Sequence, residues 1–284
     1  MYFPAEITKG VLMAQGVAWI TGATSGIGAA FAEHFASRGY NLALTGRREP
    51  QLKMLAEMLK AKYGCQYRLF LGELSDETVV SGIEAALRND TDARVLVNNA
   101  GFASYGGFHE NDLAIHRRML SVHCDVTIRL THAALTPMLA AKNGIIINVA
   151  SLAGFFPYPN HTMYSATKTF MINFSESLGI RYRQDGVKFM ALCPGMTMTD
   201  FHTRMGLNAD KVYKKTGLEK ALTAQEVVQK AARCLEKGKL VCIPGWNNRL
   251  LKSGSRLVPR KILYKIMRTW IEKRRTHPDF KTRY

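Results

Sequence analysis

Cysteine is scarce and poorly arranged for cross-linking: five residues, Cys65, Cys124, Cys193, Cys234 and Cys242, an odd number with no CxxC pair. That pattern fits reduced thiols in a reducing compartment and makes the sequons at Asn160 and Asn173 accidental. No HExxH and no paired Cys/His cluster is present, so no metal site is expected. No run reaches the roughly 18 uninterrupted apolar residues that a membrane-spanning helix needs. The opening residues lack the basic-then-apolar order of a secretory signal, and a cytoplasmic protein is expected. A GxSxG elbow is missing too, which argues against an α/β hydrolase.

Acidic residues are also few, 22 against 39 Lys and Arg, for a net charge of +17. The excess is uneven. From Asn247 to Tyr284 there are twelve Lys/Arg and two Asp/Glu, a net +10. No nucleic-acid recognition motif accompanies this charge, so no nucleic-acid partner is expected.

What is present is ample apolar material, 47% of residues, in alternating short runs and helical patterns. "VAWIT", "NLALT", "YRLFLG", "RVLVNN", "GIIINVA", "VKFMALCPG" and "LVCIPG" read as seven strands separated by helices, one near Ile27 to Arg38 and another beginning near Pro50. Such βαβ alternation predicts a doubly wound parallel α/β sheet of the Rossmann kind. Thr223 to Glu226 forms a capping box before the last strand. The expected division is one doubly wound domain over residues 14–246 and a basic extension over 247–284.

Three stretches carry chemistry. "TGATSGIG", Thr21 to Gly28, stands between the first strand and its helix. Gly22, Gly26 and Gly28 permit a tight turn and close approach of a pyrophosphate to the helix N-terminus. "LTGRRE" ends the second strand without the acid that usually holds a ribose hydroxyl; Arg47 and Arg48 follow, which favours the 2′-phosphate of NADP(H). "YSATK" places Tyr164 and Lys168 one helical turn apart on one face. A nearby ammonium favours the phenolate, so Lys168 is expected to pull the Tyr164 pKa below its usual value of about 10.

Together these resemble the short-chain dehydrogenases/reductases, from about Val17 to Gly245. "NNAG" (Asn98 to Gly101) is similar to the family's strand-four motif, and Ser151 precedes Tyr164 at the family's usual separation. The resemblance implies that Tyr164 donates a proton to a carbonyl or takes one from an alcohol. Lys168 would tune Tyr164 and bind the nicotinamide ribose, and Ser151 would hold the substrate oxygen. It further implies a cofactor surface made of Gly22, Thr24, Ser25, Gly26, Ile27, Gly28, Arg47, Arg48, Glu73, Leu74, Asn99, Ala100 and Gly101. Tyr164, Lys168, Pro194, Gly195, Thr197 and Thr199 would complete it at the nicotinamide end. Glu73 stands where the family more often has Asp beside the adenine. His123 stands where the family has a catalytic Asn. An imidazole can donate, accept and titrate, so it either serves the proton relay or fills the space.

Around these, Phe102, Tyr105, Phe155, Phe156, Tyr158, Met196, Met198, Phe201 and Met205 offer an apolar, adaptable cleft. The expectation is an NADPH-dependent reductase of a carbonyl on an apolar substrate, a 3-oxoacyl thioester first and a steroid- or retinoid-like ketone or aldehyde second. The alternative is a non-catalytic NADP(H)-binding sensor or scaffold. In "PRKILYKIMRTWIEKRR", Ile262, Leu263, Ile266, Met267, Trp270 and Ile271 form an apolar stripe beside Lys261, Lys265, Arg268 and Lys273. Such a helix suits an anionic membrane surface, an acidic acyl carrier protein, its own domain or another subunit. The family resemblance makes a dimer or tetramer the expected assembly.

Overall fold

A computed structural model of the chain describes residues 15–201 and 221–275. The strands are β1 (Val17–Ile20), β2 (Asn41–Gly46), β3 (Tyr67–Leu71), β4 (Ala93–Asn98), β5 (Gly144–Val149), β6 (Val187–Leu192), β7 (Thr197–Met198), β8 (Leu222–Thr223) and β9 (Val241–Cys242). The helices are α1 (Gly26–Ala36), α2 (Glu49–Tyr63), α3 (Glu77–Arg88), α4 (Leu113–Leu120), α5 (Val126–Ala140), α6 (Thr162–Arg181), α7 (Ala224–Glu236), α8 (Trp246–Leu257) and α9 (Arg260–Arg275).

Seven strands, those expected from the apolar runs, form one sheet in the order β3-β2-β1-β4-β5-β6-β9, every pair parallel. β1 is buried along its whole length because it is covered on both faces. Its side chains alternate: Ala18 and Ile20 pack with Phe31 of α1, Leu52 of α2 and Val227 of α7. Val17 and Trp19 point the other way, to Ile83 of α3 and Leu130 of α5. The chain passes from β3 at one edge to β4 beyond β1, so the order reverses between β1 and β4. Ligand crevices in open α/β sheets form at such a reversal, outside the carboxyl ends of the strands.

The helix expected near 27–38 spans Gly26–Ala36, and the one expected at Pro50 begins at Glu49 with the proline in its first turn. The pairing of β7 with β8 was not legible in the sequence; two residues a side carry no periodicity. The capping box is formed. Thr223 Oγ1 accepts from the Glu226 amide at 3.1 Å, and Glu226 Oε2 accepts from the Thr223 amide at 2.8 Å.

The basic extension folds as two helices, α8 and α9, against the turns that follow β5. α8 meets the 3₁₀ turn Leu152–Phe155, where Lys252 Nζ lies 5.7 Å from the Phe155 ring centre; α9 meets the turn Pro159–His161. Of the expected apolar stripe, Leu263 and Met267 are half-buried while Ile262 and Ile266 are each 51% exposed. The Trp270 and Ile271 side chains lie outside the described residues. Among those residues no helix is long and apolar enough to cross a membrane.

The cap gives the first expectation. Thr223→Ala removes an acceptor from the start of α7 and should cost about 1 kcal/mol, read as a lower urea midpoint at unchanged m-value. No shift of the midpoint would mean that the box is formed but idle.

Candidate active site

The glycine turn between β1 and α1 is shaped for close approach. Gly22 and Gly26 take positive φ of 66° and 58°, and a Cβ on Gly28 would collide with the Gly22 carbonyl oxygen. Asn99 locks the turn from the side. Its amide nitrogen donates to the Thr21 and Gly22 carbonyls at 2.9 and 3.2 Å, and its backbone N–H donates to Thr21 Oγ1 at 2.9 Å. The Ala100 N–H donates to the same hydroxyl at 3.0 Å. Asn99 therefore acts through the turn. Thr199 meets the turn from across the cleft, its Cγ2 3.0 Å from where a Gly26 Cβ would stand.

Ser25 caps α1 by position, yet its side chain makes no cap hydrogen bond. It accepts instead from Arg48 Nη2 at 3.1 Å, which also donates to Thr24 Oγ1 at 3.0 Å. One guanidinium thus stands beside two hydroxyls and the uncapped first turn of a helix, all suited to phosphate. Arg47 and Arg48 differ. Arg47 turns outward to Glu73, Nη1 to Oε1 2.7 Å, both largely exposed. Glu73, expected beside an adenine, carries this ion pair, and Leu74 next to it is buried in the core. These residues fit a dinucleotide with a 2′-phosphate on its adenosine ribose: Arg48, Thr24 and Ser25 would stand at that end.

At the other end, Tyr164 lies in the first turn of α6 and Lys168 one turn on. Lys168 is 4% exposed; its Nζ donates to the Val149 carbonyl at 2.8 Å and lies 5.6 Å from the centre of the Tyr164 ring. Ser151, two residues past Val149, accepts from the Ala153 amide at 3.1 Å, and its hydroxyl neighbours the Tyr164 phenol closely enough to influence its ionisation. The turn after β6 approaches here: Pro194 accepts from the Leu152 amide at 2.8 Å, Gly195 abuts Asn248 of α8, and Thr197 Oγ1 donates to the Gly195 carbonyl at 3.1 Å.

The electrostatics reverse one expectation. The Tyr164 pKa is raised, not lowered. Burial is the larger cause, opposed by the neighbouring Ser151 hydroxyl. Burial likewise brings Lys168 down to about 8. A local rule about an ammonium one turn away omits the desolvation of both groups, and here desolvation wins. In the protein alone the pair rests as a phenol beside a weakened ammonium.

His123 is fully buried, and both its ring nitrogens are engaged. The Phe102 N–H donates to Nε2 at 3.1 Å, so Nε2 carries no proton. Nδ1 then donates to Thr167 Oγ1 at 2.8 Å, whose own proton goes to the Tyr164 carbonyl at 2.9 Å. Burial and the Lys168 charge hold the imidazole pKa well below its ordinary value. The neutral ring ties the loop after β4 to the helix bearing Tyr164. A π-helical segment, Ser121–Asp125, carries His123 between α4 and α5. Gly101 leaves room for it: a Cβ there would sit 2.7 Å from Nε2.

His161, passed over in the sequence, belongs to the cleft. It precedes the first residue of α6, donates Nδ1–H to the Ser104 carbonyl at 2.8 Å, and has ring centres 6.3 Å from Tyr164, 5.1 Å from Tyr105 and 5.2 Å from Tyr158. Its place in "PNHTMYSATK", three residues ahead of Tyr164, was the available signal. Phe201 closes the opposite side at 5.9 Å. Phe102 stacks edge-on to His123, and Met196 and Met198 are each more than one-third exposed. Met205 lies outside the described residues.

This geometry defines a class: a doubly wound α/β fold with a glycine turn suited to a dinucleotide at the sheet reversal and a Ser–Tyr–Lys group at the neighbouring strand end. The short chain dehydrogenase family model matches residues 16–210, and the chain belongs to that family. It is 35% identical to sulfoacetaldehyde reductase of Chromohalobacter salexigens, over 74% of this chain and 84% of that one. Against very-long-chain 3-oxoacyl-CoA reductase of Anas platyrhynchos it is 30% identical, over 77% and 72%. A solved short-chain dehydrogenase from Sphingobium yanoikuyae in complex with NADPH superposes with a TM-score of 0.77 at 29% identity, covering 85% of this chain and 94% of that one.

Two outcomes follow. His123→Ala strands the Phe102 amide and the Thr167 hydroxyl and should cost ~1–3 kcal/mol in urea unfolding, with much of it restored in His123→Gln. A relay role would instead leave stability alone and move the pH–rate profile. Lys168 binds fewer protons folded than unfolded between about pH 8 and 10.5. Stability of the cofactor-free protein should therefore rise through that window relative to Lys168→Met. A flat difference would mean that the buried ammonium keeps its ordinary pKa.

Proposed function

We propose that the protein is an NADPH-dependent reductase of a carbonyl on an apolar substrate. Arg48 carries the cofactor preference: among the described residues it is the cation that bridges the glycine-turn hydroxyls, where a 2′-phosphate would add charge-assisted hydrogen bonds. Gly22, Gly26 and Gly28 would hold the pyrophosphate, and Lys168, Pro194, Gly195, Thr197 and Thr199 the nicotinamide end. The bound dinucleotide supplies hydride.

The remaining chemistry belongs to the chain. As hydride reaches the carbonyl carbon, negative charge grows on its oxygen; Ser151 steadies that oxygen and the Tyr164 phenol gives up its proton to it. A phenol kept protonated by burial is the form a reduction needs at the start. Lys168 then faces a phenolate, whose charge would restore its ammonium. His123 holds the Tyr164 helix turn in register and moves no proton.

The rings beside Tyr164 support an apolar substrate: Phe201 stands 5.9 Å away, and Tyr105 and Tyr158 gather on His161, itself 6.3 Å from Tyr164. Of the relatives, the 3-oxoacyl-CoA reductase fits such a wall better than the sulfoacetaldehyde reductase does. A 3-oxoacyl thioester is therefore the first substrate class, and a steroid- or retinoid-like carbonyl the second. α8 and α9 meet the turns beside this cleft and leave Trp246, Leu250, Ile262 and Ile266 outward among Arg and Lys, a surface suited to an anionic membrane or an acidic acyl carrier protein. A cytoplasmic dimer or tetramer remains the expected assembly.

The test is NADPH and NADH oxidation across 3-oxoacyl thioesters, aliphatic aldehydes and steroid ketones. Tyr164→Phe should abolish turnover while leaving NADPH binding intact, and Arg48→Ala should reduce the NADPH preference by about tenfold or more. NADPH binding without turnover on any class would point to the sensor or scaffold alternative.

A further inference from the structure

Two thiols lie away from the cleft and from the reaction described above. Cys234 sits in the last turn of α7 and is half-buried; Cys242 ends β9 and is 1% exposed. The connection between them reverses tightly. Gly238 and Lys239 donate backbone N–H groups to the Leu235 and Cys234 carbonyls, each at 3.0 Å. This turn carries the second thiol back onto the helix it has just left. Cys242 Sγ lies 3.6 Å from the Lys230 carbonyl oxygen, and Lys230 stands one helical turn before Cys234 on the same face of α7. That carbonyl faces the Cys234 amide across one helical turn, so the second sulfur stands against the turn that carries the first.

Their surroundings are unequal. Cys234 feels Lys239, Arg249 and Lys237, while the carboxyl end of α7 opposes a thiolate there. The neighbouring Cys242 thiol is the largest influence, and with the three cations it holds the Cys234 thiol below its ordinary range despite burial. Cys242 is pushed the other way by the same pairing and by burial. One thiol is thus half-exposed and the more readily ionised, its neighbour sheltered and the less readily so. That division separates an attacking thiol from a resolving one.

We propose that Cys234 and Cys242 form a hydroperoxide-reactive dithiol site, Cys234 attacking and Cys242 resolving. The Cys234 thiolate attacks one peroxide oxygen; the S–O bond forms, the O–O bond breaks, and the other oxygen leaves as water or alcohol after taking a proton. Cys242 then loses its proton and attacks the sulfenic sulfur. The S–S bond forms, the S–O bond breaks, and hydroxide departs with that proton as water. Two thiols lose two electrons, the peroxide gains both, and a dithiol reductant reverses the change.

The site adjoins the nicotinamide turn through the backbone. The Cys242 carbonyl accepts the Cys193 N–H at 2.7 Å, and Cys193 precedes Pro194 and Gly195. A cross-link that displaces β9 would reach that turn directly.

The experiment treats the full chain with hydrogen peroxide, maps the peptides by mass spectrometry and counts thiols in denaturant. The expected result is a Cys234–Cys242 cross-linked peptide, a loss of two of the five thiols, and recovery of both with dithiothreitol. Cys242→Ala should stop at a Cys234 sulfenic acid trapped by dimedone. Cys234→Ser, whose fold is checked by its thermal unfolding, should lose thiols about tenfold more slowly than the parent. Three results overturn the proposal: loss of thiols elsewhere first, no dimedone adduct at Cys234, or equal rates in Cys234→Ser. None of these readouts uses reductase turnover, so they stand apart from the fate of the proposed activity.

Discussion

The site depends on where Lys168 is kept. Its Nζ reaches 2.8 Å to the Val149 carbonyl at the end of β5, with almost none of the residue open to solvent. That contact pins the second turn of α6 to the sheet, which fixes Tyr164 one turn earlier and sets it against Ser151, two residues beyond the same strand end. A buried ammonium is expensive, and the protein meets the cost by letting its pKa fall to about 8. The same dryness keeps the Tyr164 phenol protonated. Burial therefore prepares an acid, and a negative charge arising on the phenol oxygen would restore the lysine's own charge.

A second layer of constraint supports this pair. His123 is a neutral ring whose two nitrogens are assigned by their partners: the Phe102 amide on one side and Thr167 on the other. Thr167, inside "YSATK", passes the connection to the Tyr164 carbonyl. The loop after β4 and the helix after β5 are thereby held at one separation. Both supply residues near Tyr164, so in the proposed reduction a shift of either would open the gap between the phenol and the oxygen it protonates.

Much of this was legible in the sequence because it depends on short-range pattern. Seven apolar runs alternating with helices dictated the parallel sheet, and glycines at fixed offsets marked the turn at its reversal. The order of Ser151, Tyr164 and Lys168, with the glycine turn, marked the family, and the fold brings the three together. Readings that depended on burial or long-range approach fared differently. The direction of the Tyr164 shift needed the desolvation that only the fold imposes. Arg47 and Arg48 are adjacent in sequence, yet one faces Glu73 in solvent and the other the glycine turn. His161 enters the cleft only because the turn after β5 carries it back towards Ser104. The α9 stripe announced an amphipathic helix, but not that Leu263 and Met267 would turn inward while Ile262 and Ile266 stay out.

The most direct test of the account is the ionisation of Tyr164 in the cofactor-free protein. With ζ-¹³C-tyrosine incorporated and the resonance assigned by its loss in Tyr164→Phe, the signal should hold its phenol position through pH 10, where an ordinary tyrosine is about half ionised. A midpoint at or below about 10 would contradict the account: the lysine would then control the tyrosine, and burial would not be the dominant force in the site.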